Sequence, residues 1–189
     1  MTSTVERAAA GRTIWNIDAA HSLVEFSAKH MMITTVKGRF AALTGAITAD
    51  EHYPGRSAAS VSIDAGSIDT REPQRDTHLR SADFLDAERF PTISFESRKV
   101  DGAYSQPGDR FRVLGDLTIR GTTRPMILDA TFEGRGRDPW GGERVSFSAE
   151  TTIDRRDYGL TWNQTLALGG LLVGNEIRIL LEVQAVKAT

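Results

Sequence analysis

Cysteine is absent from this chain of 189 residues, so disulfide bonds, thiolate metal sites and cysteine nucleophiles are excluded. Long apolar runs are absent too, since no window approaches the ~20 consecutive apolar residues of a membrane-spanning helix. The chain has no block of roughly five or six like charges. Its formal net charge of −2 gives no electrostatic reason to expect binding to nucleic acid or to an acidic membrane surface.

The motifs of common catalytic and cofactor sites are missing as well. No GxSxG, Walker or GxGxxG pattern occurs. The histidines His21, His30, His52 and His78 show no HxxxH or HExxH spacing. We therefore assign no catalytic residue, no metal ligand and no cofactor.

The amino-terminal residues 1–12 are predicted to form a disordered tail ahead of a single domain at 13–189. This end of the chain carries Glu6, Arg7 and Arg12 and lacks the apolar core of at least ~7 residues that a secretory signal needs. We therefore expect a cytoplasmic protein.

Alternation of apolar and polar residues with a period of two dominates the rest of the chain. Val24, Phe26, Ala28 and His30, for example, share one face of a predicted strand. Similar runs recur about eight or nine times, separated by short turns rich in glycine, proline and aspartate. The pattern predicts an all-β fold: an antiparallel barrel of about eight strands with one short helical insertion at about residues 70–88.

The helical insertion concentrates charged side chains between apolar flanks. Asp69 or Thr70 is the predicted helix cap. Arg75, Asp76 and His78 have two interpretations. Asp76 and His78 could form an acid–base pair acting on an amphiphilic substrate, or the charged groups could make salt bridges that pin the helix to neighbouring strands. No nucleophile motif accompanies them, which favours the structural interpretation and leaves an enzyme as the alternative function.

A second dense patch contains Arg155, Tyr158 and Trp162. These residues either plug one end of the barrel or line the mouth of a pocket. The glycine-broken apolar run at 166–173 either lines an opening or packs over it. His30, on an apolar face, is either a core histidine held by hydrogen bonds or a contact for the head group of a ligand.

Short motifs spread along the chain occur in the same order as in one known family. They are Trp15–x–Ile17–Asp18–x–x–His21–Ser22, Phe26–x–x–Lys29–His30, Gly38–x–Phe40, Ser67–Ile68–Asp69–Thr70, Arg75–Asp76–x–His78–Leu79, Asp83–Phe84, Phe90–Pro91–x–Ile93–x–Phe95 and Gly115–Asp116–Leu117–Thr118–Ile119–x–Gly121. Over residues 13–185 the chain resembles the YceI-like family, also called the polyisoprenoid-binding family. The resemblance implies a lipocalin-like barrel whose apolar channel holds a long isoprenoid chain, such as that of a quinone or a polyprenyl phosphate, or another amphiphile. It implies no established catalytic activity, and it alone suggests a homodimer.

The resemblance and the alternation together predict the ligand-binding residues. The predicted apolar wall consists of Val24, Phe26, Phe40, Val61, Ile63, Phe84, Phe95, Phe147, Ile179 and Leu181. Tyr158 and Trp162 are expected near one mouth, and the predicted polar contacts are His30, Arg75, His78 and Arg155. Burying a methylene-sized group is worth ~0.8 kcal/mol, so an apolar channel needs few polar motifs. A core filled by side chains, with a purely structural role, is the third interpretation.

Overall fold

The structure is a computed structural model that describes residues 11–189. Most of the predicted tail lies outside the described residues, and the first strand already includes Arg12. The described residues form eleven strand segments and one α-helix. In chain order these are β1 (Arg12–Ile17), β2 (Leu23–His30), β3 (Thr34–Phe40), β4 (Leu43–Asp50), β5 (Ala58–Asp64), β6 (Ile68–Asp69), α1 (Pro73–Arg80), β7 (Thr92–Asp101), β8 (Arg110–Ile119), β9 (Thr122–Arg137), β10 (Glu143–Asp154) and β11 (Val173–Lys187).

The eleven segments make eight barrel strands because three of the strands are broken. β1 and β2 follow one path along the barrel, as do β3 and β4, and β5 and β6. Accordingly, β1 pairs with β4 and β2 pairs with β3, while β5 pairs with β4 and β6 pairs with β3. The break between β1 and β2 is a short turn at Asp18, whose carboxylate accepts a hydrogen bond from the Ala20 amide (3.1 Å).

The barrel closes between β1 and β11. The strands pair antiparallel in the order β1–β4–β5–β7–β8–β9–β10–β11, and β11 pairs back with β1 from Trp15–Lys187 to Ile17–Ala185. Closure pairs backbone groups that an open sheet would expose at its edges. The predicted antiparallel barrel of eight strands with one helical insertion is confirmed.

Antiparallel pairing places successive connections at alternate ends of the barrel. One end, which we call the lid end, carries the β2–β3 turn at 31–33, the segment 70–91 with α1, the β8–β9 turn and the β10–β11 loop at 155–172. The opposite end, which we call the base, carries the β4–β5, β7–β8 and β9–β10 connections.

The helical insertion is shorter than its predicted span. α1 begins at Pro73, and residues 81–89 continue as turns rather than as helix. The predicted cap was wrong: Glu72, not Asp69 or Thr70, caps the helix by accepting the Gln74 amide (3.2 Å). Proline favours the first helical position, where its missing N–H costs no hydrogen bond, so the start at Pro73 is physically sound.

The core divides into two clusters of buried side chains. One lies toward the base and contains Trp15, which is 2% exposed, with Phe111 and Phe132. The other lies toward the lid end and contains Phe84 and residues from most of the strands. Inward faces that the alternation predicted contribute to both clusters, with Leu117 in one and Phe111 and Phe132 in the other, whereas Phe84 comes from the insertion. Among residues 11–189 no helix is long and apolar enough to cross a membrane.

Candidate functional site: an apolar cavity in the barrel

An elongated cavity of about 290 Å³ runs between the two core clusters. Its wall includes Ala28 and Ile177 near the lid end, Ala149 in the middle, and Ile47 and Phe111 toward the base. Nearly every wall residue is apolar. The barrel is therefore lined, not filled, by its inward side chains.

Eleven of the sixteen predicted ligand-binding residues lie in the cavity wall. They are Val24, Phe26, Phe40, Val61, Ile63, Phe84, Phe95, Phe147, Arg155, Ile179 and Leu181. The structure brings these side chains together from both halves of the chain. Their contact with a ligand stays a prediction.

Five of the predicted ligand-binding residues lie outside the wall: His30, Arg75, His78, Tyr158 and Trp162. Tyr158 is 3% exposed and packs in the lid-end cluster, where burial raises the pKa of its phenol. His30 stands at the end of β2, paired with Thr34 and Val173 across the neighbouring strands, and its side chain is not part of the cavity wall.

Further residues of the alternating runs line the cavity, although they were not among the predicted ligand-binding residues. Val113, Leu117 and Ile119 in β8 and Met126 and Leu128 in β9 all line the cavity. They belong to alternating runs that predict strands, but the predicted ligand-binding residues did not include them. The period of two would have found them.

Two glycines make room for aromatic rings of the wall. Gly38 faces Phe26 across the β2–β3 pair, and a Cβ atom at Gly38 would fall 2.4 Å from that ring. A Cβ atom at Gly115 would fall 2.6 Å from the ring of Phe95. Any side chain at either position would push a ring of the wall out of place, which explains why glycine suits both positions.

The base of the cavity is closed by packed aromatic rings. The ring centroids of Tyr104 and Phe111 are 4.6 Å apart, and Phe147 lies 5.5 Å from both Tyr104 and Phe132. Tilted and edge-to-face contacts at these distances are the favoured arrangements for aromatic pairs. A ligand chain that extends from the lid end would therefore stop against this group.

The lid end is covered by the helical insertion and the β10–β11 loop. Leu79, Phe84 and Leu85 from the insertion line the cavity. Trp162 of the loop packs on the insertion, with ring centroids 5.3 Å from Phe84 and 4.6 Å from His78. The insertion thus acts as a wall and a lid, and its inner surface is apolar.

The insertion is held in place by hydrogen bonds to the main chain. The buried carboxylate of Asp76 accepts from the Thr70 amide (2.9 Å) and hydroxyl (2.6 Å), and Arg75 donates to the Thr70 carbonyl (2.9 Å). Arg80 donates to the carbonyls of Gly66 (2.8 Å) and Ile68 (3.1 Å). Arg75 and Asp76 therefore help to hold the insertion in place, as the structural interpretation expected. They do so mainly through hydrogen bonds to the backbone and not through the expected salt bridges.

Asp76 and His78 do not form a pair with each other. Asp76 bonds to Thr70, whereas Nε2 of His78 lies 2.8 Å from the carboxylate of Asp83. Neither side chain lies in the cavity wall. The acid–base alternative requires both groups to face a ligand in the barrel, and this arrangement does not bring them there.

Arg155 is the charged residue that does line the cavity. It is 3% exposed. Its Nε donates to the Gly174 carbonyl (3.0 Å), and one of its terminal nitrogens donates to the carbonyls of Leu160 (2.6 Å) and Trp162 (3.0 Å). Burial lowers the pKa of this guanidinium, although the charge of Asp154 opposes the shift. Arg155 therefore joins the β10–β11 loop to β11 and places a buried positive charge beside the apolar cavity.

The carboxyl groups with strongly lowered pKa values lie outside the cavity. Arg144 and His21 lower the pKa of Asp18 to about 2, and Arg156 lowers that of Asp154 to about 2. Both shifts come from ion pairs that stabilise the charged form, as is typical of structural pairs. In the part of the chain from 11 to 189, no three acidic or histidine side chains are close enough to hold a metal ion.

A closed antiparallel barrel around an elongated apolar cavity defines the class of lipocalin-like barrels. The YceI-like domain family matches residues 15–185, and this chain belongs to that family. A UPF0312 protein of Pseudomonas paraeruginosa is 35% identical over 170 residues, which cover 90% of this chain and 84% of that protein.

Solved structures share the fold. The crystal structure of BcnA from Burkholderia cenocepacia has a TM-score of 0.76 at 22% identity and covers 92% of this chain and 99% of its own. A polyisoprenoid binding domain from Saccharophagus degradans, implicated in plant cell wall breakdown, has a TM-score of 0.71 at 15% identity and covers 92% and 98%. At these identities the similarity concerns the fold.

Proposed function

We propose that this protein binds a long-chain isoprenoid lipid, of the quinone or polyprenyl phosphate type, or a similar amphiphile. The observation that carries the proposal is the cavity, whose wall is apolar along the barrel and includes part of one buried arginine side chain. Membership in the YceI-like family supports the proposal, as does the shared fold of a polyisoprenoid binding domain. A role in transport or storage is part of the proposal, as are a cytoplasmic location and a homodimer.

The volume of the cavity is enough for a segment of one hydrocarbon chain. Its volume of about 290 Å³ is close to the lower end of the ~300–1,000 Å³ of small-molecule sites. An isoprene unit has five carbons, so burying one unit contributes ~4 kcal/mol at ~0.8 kcal/mol per methylene-sized group, before ordering costs. Affinity would therefore be spread along the chain of the ligand and would not depend on any single contact.

Arg155 is the proposed contact for the polar head of the ligand. Its three hydrogen bonds go to backbone carbonyls, which do not neutralise its charge. A phosphate or a quinone carbonyl beside it would accept a charge-assisted hydrogen bond. The isoprenoid chain would then run from Arg155 toward Phe147 and the aromatic base.

The first experiment identifies any lipid that copurifies with the protein. The purified protein is extracted with organic solvent, and the extract is analysed by mass spectrometry. We expect an isoprenoid lipid in amounts comparable with the protein. An extract without lipid, together with no binding of added ubiquinone or polyprenol, would refute the proposal.

The contact with Arg155 is tested by comparing two ligands with the same chain. Geranylgeranyl phosphate and geranylgeraniol differ in the phosphate alone, so no variant that might unfold the protein is needed. We expect the phosphate to bind about tenfold more tightly, since a charge-assisted contact is worth roughly 1.5 kcal/mol or more. Equal affinities would show that the head group lies away from Arg155.

A further inference from the structure

Two hairpin tips at the lid end expose aliphatic side chains. Their exposed fractions range from 38% to 102%. The Met31 amide donates to the Leu172 carbonyl (2.8 Å), so the two tips are held side by side. We call this surface the apolar tip, and it consists of Met31, Met32, Ile33, Leu168 and Leu171.

The backbone of the β2–β3 turn is unfavourable for the residues that it carries. Met31 and Met32 have φ values of 52° and 60°, in the left-handed region that glycine or asparagine adopts most readily. Methionine brings no local advantage to such a turn. A position that breaks a local rule while exposing an apolar side chain is more readily explained by a binding role than by folding.

The second tip belongs to a long stretch without charge. No charged residue occurs from Tyr158 to Asn175. Within it, Thr165 and Leu171 form a β-bridge, and the Leu166 amide donates to the Gly170 carbonyl (3.1 Å). This small hairpin presents Leu168 at its end, so the loop has a defined shape and an apolar end.

A basic side chain stands at the foot of the apolar tip. Lys29 is exposed, lies against Gly174 at the start of β11, and forms no ion pair with any residue from 11 to 189. Lys37, on the adjacent strand, pairs with Glu25 (3.6 Å). Lys29 is therefore the side chain whose charge is free to meet an anionic group beside the tip.

The apolar tip continues into the wall of the cavity. Val173 follows the loop hairpin directly and lines the cavity, as does Ala28, which precedes Lys29 and His30 in β2. Val173 pairs with His30 across the two strands. A lipid at the tip would thus be next to side chains that belong to the cavity.

We propose that the apolar tip docks into the interfacial layer of a lipid bilayer and brings the lid end of the barrel to the membrane. The inference rests on the proposed function, because a lipid held in the cavity would be exchanged with a membrane. Protruding aliphatic side chains with a lysine at their foot suit a bilayer, where the tips reach the acyl chains and Lys29 meets the phosphates.

A second copy of this chain suits the apolar tip less well. Five side chains on two narrow tips bury far less than the ~1,600 Å² of a standard protein interface. The side chains at the two turns protrude, with Ile33 76% and Leu168 102% exposed, so a partner would need a matching apolar groove.

The test is sedimentation of the full-length protein with sucrose-loaded vesicles of phosphatidylcholine and phosphatidylglycerol in a 3:1 ratio. The tip variant carries Ile33→Ser and Leu168→Ser, and the matched control is Trp140→Ser, which changes a side chain that is 87% exposed at the base. We expect the vesicle partition coefficient to fall at least about tenfold in the tip variant and to change less than about twofold in the control. Lys29→Glu should abolish any preference for these anionic vesicles over neutral vesicles of phosphatidylcholine alone. Thermal unfolding checks that each variant is folded.

Three results would overturn the inference. One is unchanged vesicle binding by the tip variant, and another is loss of binding in Trp140→Ser. The third is a dimer, seen by light scattering without vesicles, that dissociates in the tip variant, since a second copy would then cover the tip.

Binding of geranylgeranyl phosphate without vesicles separates this inference from the proposed function. If the tip is needed for docking to the membrane but not for binding in the cavity, the tip variant keeps the wild-type affinity for geranylgeranyl phosphate. Failure of all the proteins to bind the lipid would refute the proposed function, whereas vesicle binding that depends on the tip would still support docking.

Discussion

Replacing Ala149 with phenylalanine should block the cavity at its middle. Ala149 faces Ala130 in β9 and Leu181 in β11, lines the cavity, and packs against both core clusters. A benzene-sized ring needs a cavity on the order of 150 Å³. The new ring would therefore occupy about half of the 290 Å³ available.

The expected loss of affinity follows from the displaced length of ligand. A ring excludes about six carbons of the isoprenoid chain, worth ~5 kcal/mol of burial at ~0.8 kcal/mol each. Because the ring can turn and the wall can yield, we expect a net loss of about 3 kcal/mol, or roughly 100-fold in Kd. Ala149→Leu, which adds fewer carbons, should have an intermediate effect.

The assay is titration with geranylgeranyl phosphate, combined with thermal unfolding of the protein without ligand. Filling a void adds contacts, so the Tm of Ala149→Phe should be unchanged or higher. Ala103→Phe, at an exposed position in the β7–β8 connection, is the matched control and should bind as the wild type does. A folded Ala149→Phe protein with wild-type affinity would refute the reasoning, because the ligand would then lie outside the cavity.

Two further predictions concern stability. Asp76→Ala leaves the Thr70 amide and hydroxyl without their buried acceptor, so the free energy of unfolding should fall by about 2 kcal/mol in urea titrations, with lipid affinity unchanged; an unchanged stability would contradict this role. Hydrogen bonds from Arg144, the larger effect, and from His21 lower the pKa of Asp18 from 3.8 to about 2. The ionised carboxylate therefore stabilises the fold above pH ~4, and this contribution is lost as the pH falls toward ~2. Asp18→Asn should remove about 1 kcal/mol at pH 7, after allowing for solvent screening, and almost nothing at pH 2; an equal loss at both pH values would argue against the ion pair.

Much of the barrel could be predicted from the sequence because each strand has one apolar face toward the barrel interior and one polar face toward the solvent. The run in β8 is the clearest case, with Val113, Leu117 and Ile119 on the inner face as alternation requires. The breaks in three strands could not be predicted in this way. At Asp18, for instance, the carboxylate caps a local turn and also pairs with Arg144 of β10 (2.7 Å), and this second contact exists only in the folded barrel.

The polar residues near the cavity were harder to assign than its apolar wall. Arg155 was predicted as a contact with the ligand, but its carbonyl partners at Gly174 and Trp162 depend on how the β10–β11 loop folds back. His30 shares the apolar face of its strand and yet is not part of the cavity wall, because alternation does not show how far along the barrel the cavity extends. The helix cap at Glu72 was missed because Asp69 and Thr70 are intrinsically better cap residues.

The two ends of the barrel are closed by different physical means, and this difference suggests where a lipid would pass. The base is filled by the buried side chains of Phe111, Phe132 and Trp15, and separating buried aromatic side chains costs roughly 1.5–3 kcal/mol apiece. The lid rests on the buried side chains of Phe84 and Leu85, on the half-buried Trp162, and on hydrogen bonds within the segment and to the residues just before it, such as Arg80 to Gly66. The insertion can therefore shift as a unit without breaking the pairing of the barrel strands. Because the apolar tip lies at this same end, the closure that involves no barrel strand pairing and the surface proposed to meet a membrane coincide.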